Sequence, residues 1–282
     1  MPGLFWCVMN SRKILQNLVV FFSSLLGFLL LFYLLIPSAQ PRLMSEDFKE
    51  KSTSSLHYVA LGDSLTEGVG DTTSQGGFVP LLAQSLTNEY GYEVSYENYG
   101  VSGNTSSQIL KRMKKDTAIG ESLKTADFMT LTVGGNDLRK AILENIANLE
   151  VSTFDKPAQE YSQRLLQIIK KARENNPDLP IYLVGIYNPF YLNFPEMTEM
   201  QTIVDNWNQV SEDAVSDLDK VYFIPINDLL YKGIEGEEGI SQSDITSNNL
   251  LYEEDSFHPN NTGYEIIKEA VMEKIRETKK NW

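Results

Sequence analysis

The longest apolar stretch lies near the start of the chain. "LVVFFSSLLGFLLLFYLLI", from Leu18 to Ile36, carries no charge over nineteen residues. As a helix rising ~1.5 Å per residue it would extend roughly 28 Å, close to the hydrocarbon thickness of a bilayer. A usual signal-peptide core has only ~7–15 apolar residues. The pattern therefore favours an uncleaved anchor, with residues 1–36 as a cytoplasmic stub and transmembrane segment. Arg12 and Lys13 precede it, which keeps the N-terminus cytoplasmic and sends the rest across, making a single-pass membrane protein with an extracytoplasmic domain. The competing reading is a cleaved signal ending at Ala39, which would make the domain secreted; Pro37 at the −3 position disfavours it. Residues 37–55 are polar and aperiodic and read as a linker.

From residue 56 to 282, short β-prone runs alternate with amphipathic helical ones. Strands are predicted over 57–63, 94–100, 128–133, 181–187 and 221–226. Helices are predicted over about 78–91, with Leu81, Leu82 and Leu86 as its apolar stripe, and over 105–115, capped by Thr105 or Ser106. A third covers 157–177, turning Tyr161, Leu165, Ile168 and Ile169 inward, and a fourth about 197–219. The last runs from about Asn261 to Thr278, with Tyr264, Ile267, Val271 and Ile275 on one face. Thr262 and Glu265 have capping-box spacing at its start. Such alternation predicts an α/β domain, a mostly parallel sheet sandwiched by helices. In that architecture ligands bind beyond the carboxyl ends of the strands.

The residues just after the strands are small and polar. "GDSLTEG" follows the first and holds Ser64; "NYGVSGNTS" follows the second, with Gly100 and Gly103; "GGND" follows the third and holds Asn136; "DSFH", before the final helix, holds Asp255 and His258. Each block taken singly is an ordinary turn or helix cap. As a set on one edge of a sheet they suit acyl transfer. A serine hydroxyl becomes nucleophilic when a neighbouring base removes its proton, and histidine does this near neutral pH. Asp255 is placed to orient His258. Backbone N–H groups at Ser64 and at a glycine, with the Asn136 amide, could receive the oxyanion. His57, the only other histidine, stands about 16 Å from the exit of its strand at ~3.3 Å per residue, which leaves His258 as the base.

Charge and composition narrow the classes further. Residues 1–55 carry a net +2, which leaves −16 of the chain's −14 on residues 56–282. That surface, with no basic stripe, argues against nucleic acid as a partner. Cys7 is the only cysteine, so no disulfide forms within the chain, and one cysteine with two distant histidines excludes a structural zinc site. The first block also lacks the Gly-x-Ser-x-Gly of a nucleophile elbow, because position 66 is threonine.

The four blocks, in this order, resemble those of the SGNH (GDSL-type) serine hydrolases, and the likeness spans residues 56–282. It is nearest to bacterial lipase/acylhydrolase-type members with an N-terminal membrane segment. The resemblance implies a three-layer α/β/α sandwich around a five-stranded, parallel, flavodoxin-like sheet. It implies Ser64 as nucleophile, His258 as base and Asp255 as its orienting acid, with Ser64, Gly103 and Asn136 as the oxyanion hole. It implies no cofactor and no metal, and no obligate protein partner is predicted.

The expected function is thus a serine esterase cleaving carboxylic esters through an acyl-enzyme on Ser64. Lipid or lysolipid esters fit the anchor, and O-acetyl groups on glycans fit the location equally. An extracytoplasmic acyltransferase, or a non-catalytic binding or assembly factor on the same fold, are the alternatives. Two inserts bear on the substrate. Residues 185–197, "GIYNPFYLNFPEM", read either as an apolar wall or lid with Tyr187, Phe190, Tyr191 and Phe194, or as a loop packed on the domain. Residues 231–255 are long and acidic, either a rim to the cleft or a solvated excursion.

Overall fold

The computed structural model describes residues 3–35, 54–192, 197–233 and 248–282, in two compact units, Met1–Ser52 and Thr53–Trp282. In the first, helix α1 (Gly3–Leu35) contains a 23-residue stretch, Lys13–Leu35, of mean hydropathy 2.6. At ~1.5 Å per residue it is long enough to cross a bilayer, a test that a signal sequence also passes. The linker expected over 37–55 lies outside the described residues except for its last two, and Ser55 already belongs to the first strand.

The second unit is built on five parallel strands: β1 (Ser55–Gly62), β2 (Glu93–Gly100), β3 (Phe128–Thr132), β4 (Ile181–Val184) and β5 (Val221–Ile224), in the order β2-β1-β3-β4-β5. This is the flavodoxin-like order, with the switch point at the exits of β1 and β3. Gly62 at the end of β1 is level with Gly100 of β2 and Thr132 of β3. Every residue of β3 and β4 is buried, as expected of strands covered on both faces. The expected strands at 181–187 and 221–226 stop earlier than their apolar runs, at Val184 and Ile224, because the chain turns out of the sheet, after β4 into a loop and after β5 toward a short helix.

Alternate residues of β1 enter two different cores. Val59 and Leu61 pack with Ile109, Leu165, Ile168 and Trp207 on one face of the sheet. Tyr58 and Ala60 pack with Phe78, Leu82, Tyr264, Ile267 and Val271 on the other. The first layer comprises α4 (Ser106–Lys115), α5 (Thr117–Thr125), α6 (Gly135–Glu144), α7 (Asp155–Ala172) and α8 (Thr198–Val215); α3 (Phe78–Tyr90) and α10 (Asn261–Thr278) make the second. The short helices α2 (Ser64–Glu67) and α9 (Asn227–Leu230) follow β1 and β5. Three-layer packing with helices on both faces is therefore the observed architecture, and the inward residues of α7 and α10 are those their spacing predicts.

Several local expectations change. In α3, Val79 is buried and Leu81 only half-buried, because Phe78, Val79, Leu82, Ala83 and Leu86 form the packed face. Thr105 is the cap of α4, and Gln108 accepts its backbone N–H at 2.8 Å. At α10 the cap is not Thr262: Asn260 Oδ1 accepts the Gly263 N–H at 3.1 Å, and Glu265 pairs instead with Lys268. An asparagine side chain reaches the third N–H as readily as threonine does, and Asn260 is held in place by donating to the Asn249 and Leu251 carbonyls.

The loop between α2 and α3 ties the turn that carries Ser64 to the last helix. Tyr264 donates its hydroxyl to Val69 O at 2.6 Å, and the Thr72 N–H donates to Asn261 Oδ1 at 2.9 Å. Asp71 organises this loop by accepting the N–H groups of Thr73, Gln75, Gly76 and Gly77. Burial opposes its charge, but the Thr73 hydroxyl and these amides outweigh that and bring the carboxyl down to about 2. The unfolded carboxyl titrates near its ordinary value, about 4. Asp71 therefore stabilises the fold fully above about pH 4, and the contribution is lost as pH falls toward 2. Asp71→Ala is expected to lower the melting temperature of the domain by roughly 2–6 °C at neutral pH. In thermal melts from pH 5 to pH 2.5 the wild type should lose stability more steeply than Asp71→Asn; parallel losses would mean the carboxylate does not hold the loop.

Candidate active site

The four blocks converge on the carboxyl edge of the sheet. At the exit of β1 the chain must pass very close to β3. A Cβ at Gly62 would stand 2.2 Å from Thr132 Oγ1 and 2.5 Å from Thr66 Oγ1, so no larger residue fits. Asp63 follows and caps α2, its Oδ1 accepting the Leu65 N–H at 3.1 Å. Thr132 donates its hydroxyl to the same Asp63 oxygen at 2.8 Å, accepts the Asp63 N–H at 3.2 Å, and meets the Thr66 hydroxyl at 2.8 Å. Burial pushes the Asp63 carboxyl up from its ordinary value, against the opposing pull of Thr132 and the Leu65 amide. Ser64 sits on this cluster as the first residue of α2 and is itself buried. Its backbone N–H heads the helix and has no intrahelical partner.

The second block crosses directly over α2. A Cβ at Gly100 would meet Glu67 N at 2.1 Å, so this glycine serves the crossing rather than the cleft. The Ser102 N–H donates to the Glu67 carboxylate, and Asn98 Nδ2 donates to Thr66 O at 2.7 Å. Gly103 has φ +77, the left-handed region that glycine adopts without strain, and is exposed. Its neighbour Asn104 turns its carbonyl to accept Asn136 Nδ2 at 3.1 Å.

Asn136 belongs to the first turn of α6, a helix where the sequence suggested a turn or a helix cap. Leu138 and Ala141 anchor it. Gly134 precedes it with φ +117, and a Cβ there would lie 2.9 Å from the Tyr161 hydroxyl. Asp137 fixes the helix start by accepting the Ser106 N–H at 2.7 Å and the Ser106 hydroxyl at 2.6 Å, while Arg164 donates to the Ser106 oxygen at 2.8 Å. The N-termini of α4 and α6 are thereby joined through one buried carboxylate.

His258 is held mainly through its backbone. Asp255 Oδ2 meets His258 Nδ1 at 2.6 Å, and Asp255 Oδ1 accepts the N–H groups of Phe257 and His258 at 2.9 and 3.0 Å. The tight turn needs Ser256 at φ +50, and these donors offset that strain. Burial alone would raise the Asp255 carboxyl; the His258 ring and the two amides outweigh it and hold it below the ordinary carboxylate range. The His258 carbonyl accepts the Tyr252 N–H at 2.7 Å, and the preceding carbonyl, of Phe257, accepts the Tyr187 hydroxyl at 2.6 Å. Gly70 lets the α2–α3 loop close against this segment: a Cβ there would stand 2.4 Å from Pro259 O.

Ser64, Asn136 and His258 line one cleft, with Asp63, Leu65, Tyr187 and Phe257 around them. Asp255 stands behind the His258 ring. Gly103 is not part of the lining; it adjoins the cleft through Asn104. Ser64 and His258 share the cleft without a hydrogen bond between them. His57 lies at the opposite end of β1, its ring on Glu97 and on Thr125 Oγ1. Among the described residues no group of three His, Cys, Asp or Glu side chains is arranged to hold a metal ion.

The supporting residues Thr132 and Asp137 were not singled out from the sequence, and Tyr187 was read as an apolar wall or lid residue, not as a hydrogen-bond donor to the His258 segment. A signal did exist for Thr132. A threonine inside a fully buried strand must find a hydrogen-bond partner, and the one at the strand's exit faces the site.

The GDSL-like Lipase/Acylhydrolase family matches residues 60–266. The Bacillus subtilis protein YpmR is 33% identical over 227 residues, 80% of this chain and 84% of its own length. The spore germination lipase LipC of Bacillus licheniformis is 29% identical over 222 residues, 77% of this chain and 94% of its own. Among solved structures, the lipase Lip_vut3 from a goat rumen metagenome superposes with a TM-score of 0.64 at 26% identity, covering 77% of this chain and 96% of that one. With Ser64, Asn136 and His258 on one cleft, the chain belongs to the GDSL-like lipase/acylhydrolase family and is a carboxylic ester hydrolase.

Proposed function

We propose that the protein hydrolyses its ester through an acyl-enzyme on Ser64, with His258 as general base and Asp255 as the acid that orients it. The observation that carries this reading is the 2.6 Å bond between Asp255 Oδ2 and His258 Nδ1. It commits Nδ1 to the carboxylate and leaves Nε2 as the base beside Ser64. Nε2 takes the Ser64 proton as Oγ attacks the carbonyl carbon. The tetrahedral intermediate then collapses, the C–O bond to the alcohol breaks, and His258 returns the proton to the departing oxygen. Water, deprotonated by His258, releases the acid and restores Ser64.

Three donors support the oxyanion. The Ser64 N–H is free at the head of α2, where the helix dipole also favours negative charge. Asn136 has two amide protons and gives one to Asn104 O, leaving the other for the oxyanion. The Gly103 N–H is the third. A small rotation of Ser64 or His258 on substrate binding completes the nucleophile–base contact, as is common when a site is seen without its ligand.

The substrates proposed are lipid, lysolipid or O-acetyl glycan esters. LipC and Lip_vut3, both lipases by name, favour an apolar acyl group. The apolar stretch Lys13–Leu35 supports a membrane anchor, with the N-terminus cytoplasmic and the hydrolase domain outside.

Ser64→Ala and His258→Ala are each expected to lower kcat on p-nitrophenyl esters by about 10⁴-fold or more. Asn136→Ala should lower it roughly 10²–10³-fold. A fluorophosphonate probe should label the wild type and not Ser64→Ala; full turnover or labelling in that variant would sink the mechanism. For the anchor, the full chain should sediment with membranes and a chain lacking residues 1–40 should not. A mature protein beginning at Gln40 would show that the segment is cleaved.

A further inference from the structure

We infer that the cleft beside Ser64 is a rigid pocket for a short apolar acyl group, of about two to four carbons, an inference that rests on Ser64 being the nucleophile. The wall is formed by Leu65, Val133, Ile186, Tyr187, Pro189 and Phe257. These side chains offer almost nothing for sugar hydroxyls or a charged headgroup to bond to, and leaving such groups unpaired is costly. An alkyl chain suits the wall. The alcohol then leaves toward solvent, where its chemistry matters less.

The pocket is small. Its cavity is about 50 Å³, while a single water needs ~10–15 Å³ on a comparable measure. That leaves room for a few heavy atoms beyond the carbonyl, and an octanoyl chain exceeds it.

The pocket is also unable to widen cheaply, because the segment that follows β4 is tied down at almost every residue. Ile186 is clamped on both sides of its backbone by Asn208 of α8: its N–H donates to Oδ1 at 2.9 Å and its carbonyl accepts Nδ2 at 2.8 Å. The Asn188 N–H donates to Asn227 Oδ1 at 3.0 Å, and Asn188 Oδ1 in turn accepts the Phe190 N–H at 3.0 Å. Gly185 sits so tightly that a Cβ would meet Phe223 at 2.8 Å and Asn208 Oδ1 at 2.9 Å. Tyr187 closes the ring by donating to Phe257 O, so the wall is bonded to the residue before His258. Moving residues 185–190 outward would strand several buried polar groups and drag the His258 segment with them. This part of the insert acts as a fixed wall, not a lid; Phe194 and the residues around it lie outside the described residues.

Of the substrates proposed above, this favours O-acetyl and other short-chain esters over lipids with long acyl chains: a longer chain must either leave its tail in water or displace its carbonyl from the Ser64 hydroxyl, and a small misplacement of reacting atoms is heavily penalised. The test is a kcat/KM series on p-nitrophenyl esters from acetate to dodecanoate, using the full chain in detergent. The acetate-to-butyrate range should exceed octanoate by about tenfold or more, since one methylene in an apolar pocket is worth at least about tenfold. Ile186→Ala and Phe257→Ala remove different parts of the wall, and each should shift the octanoate-to-acetate ratio upward by about tenfold. Partition of long esters into micelles is common to all three proteins and cancels in that comparison. With the acyl group held at acetyl, changing the alcohol among phenols of similar acidity should alter kcat/KM only a few-fold, and a much larger spread would overturn the assignment of the pocket to the acyl group. A wild-type optimum at octanoate or longer overturns the inference, and so does a ratio unmoved in both variants. Absence of hydrolysis on every ester, with no fluorophosphonate labelling of Ser64, would instead overturn the nucleophile assignment.

Discussion

The hydroxyl of Thr132 is the point on which the catalytic edge of the sheet depends. It accepts the Asp63 N–H, donates to the Asp63 carboxylate and meets Thr66, binding the exits of β1 and β3 to the first turn of α2. A central pair of parallel strands, buried on both faces, must end with its last polar groups satisfied away from water. Here one side chain does most of this. The cost is a space that admits only glycine at position 62, and the return is a serine fixed at a helix head. Asp63, whose charge is disfavoured by burial, is tolerated because the threonine hydroxyl and a helix amide face it.

Bringing His258 to the same edge is a separate problem, because it follows Ser64 by nearly two hundred residues. The solution is a dock made by the α2–α3 loop. Tyr264 and Asn261 of α10 bond to Val69 and Thr72 of that loop, while Gly70 lies against Pro259. Asp71 keeps the loop in shape with its four amides. Tyr187 adds a third support from β4's exit. The turn carrying Asp255 and His258 is thus held from three directions, none of which passes through its own side chains.

Much of the fold was legible in the residues. The alternation of strands and helices was enough for the fold and its layer structure, and the polar blocks at their junctions pointed to Ser64, Asn136 and His258, which line one cleft, but not to the apolar wall beside them. Periodicity served best where a helix has one dry face, as in α7 and α10. It served poorly for α5 and α6. Gly120 interrupts the first, and the second opens with "GGND", whose glycines read equally as a turn or a helix cap; Gly134 is the cap that lets the helix begin. Capping was misjudged at α10 because Asn260 and Thr262 are both competent caps by type. What decides between them is that Asn260 also reaches the Asn249 and Leu251 carbonyls, a tertiary circumstance with no local signature. The ties of Tyr187, Asn208 and Asp137 were hidden for the same reason: each joins positions far apart in sequence.

The Asp255–Ser256–Phe257–His258 turn has a consequence for the order in which the enzyme comes into being. The proposed acid and base are three residues apart and share their hydrogen bonds locally, so this pair can form as soon as its own turn does. The serine cradle can likewise form once β1, β2 and β3 have met. Neither half is sufficient, and the piece that joins them, α10, follows all five strands in the chain. A growing chain that folds from its N-terminus would hold a seated Ser64 and the proposed oxyanion donors while still lacking its proposed base. Ester cleavage would then be the last property the domain acquires, and it would double as a report that the final helix has docked.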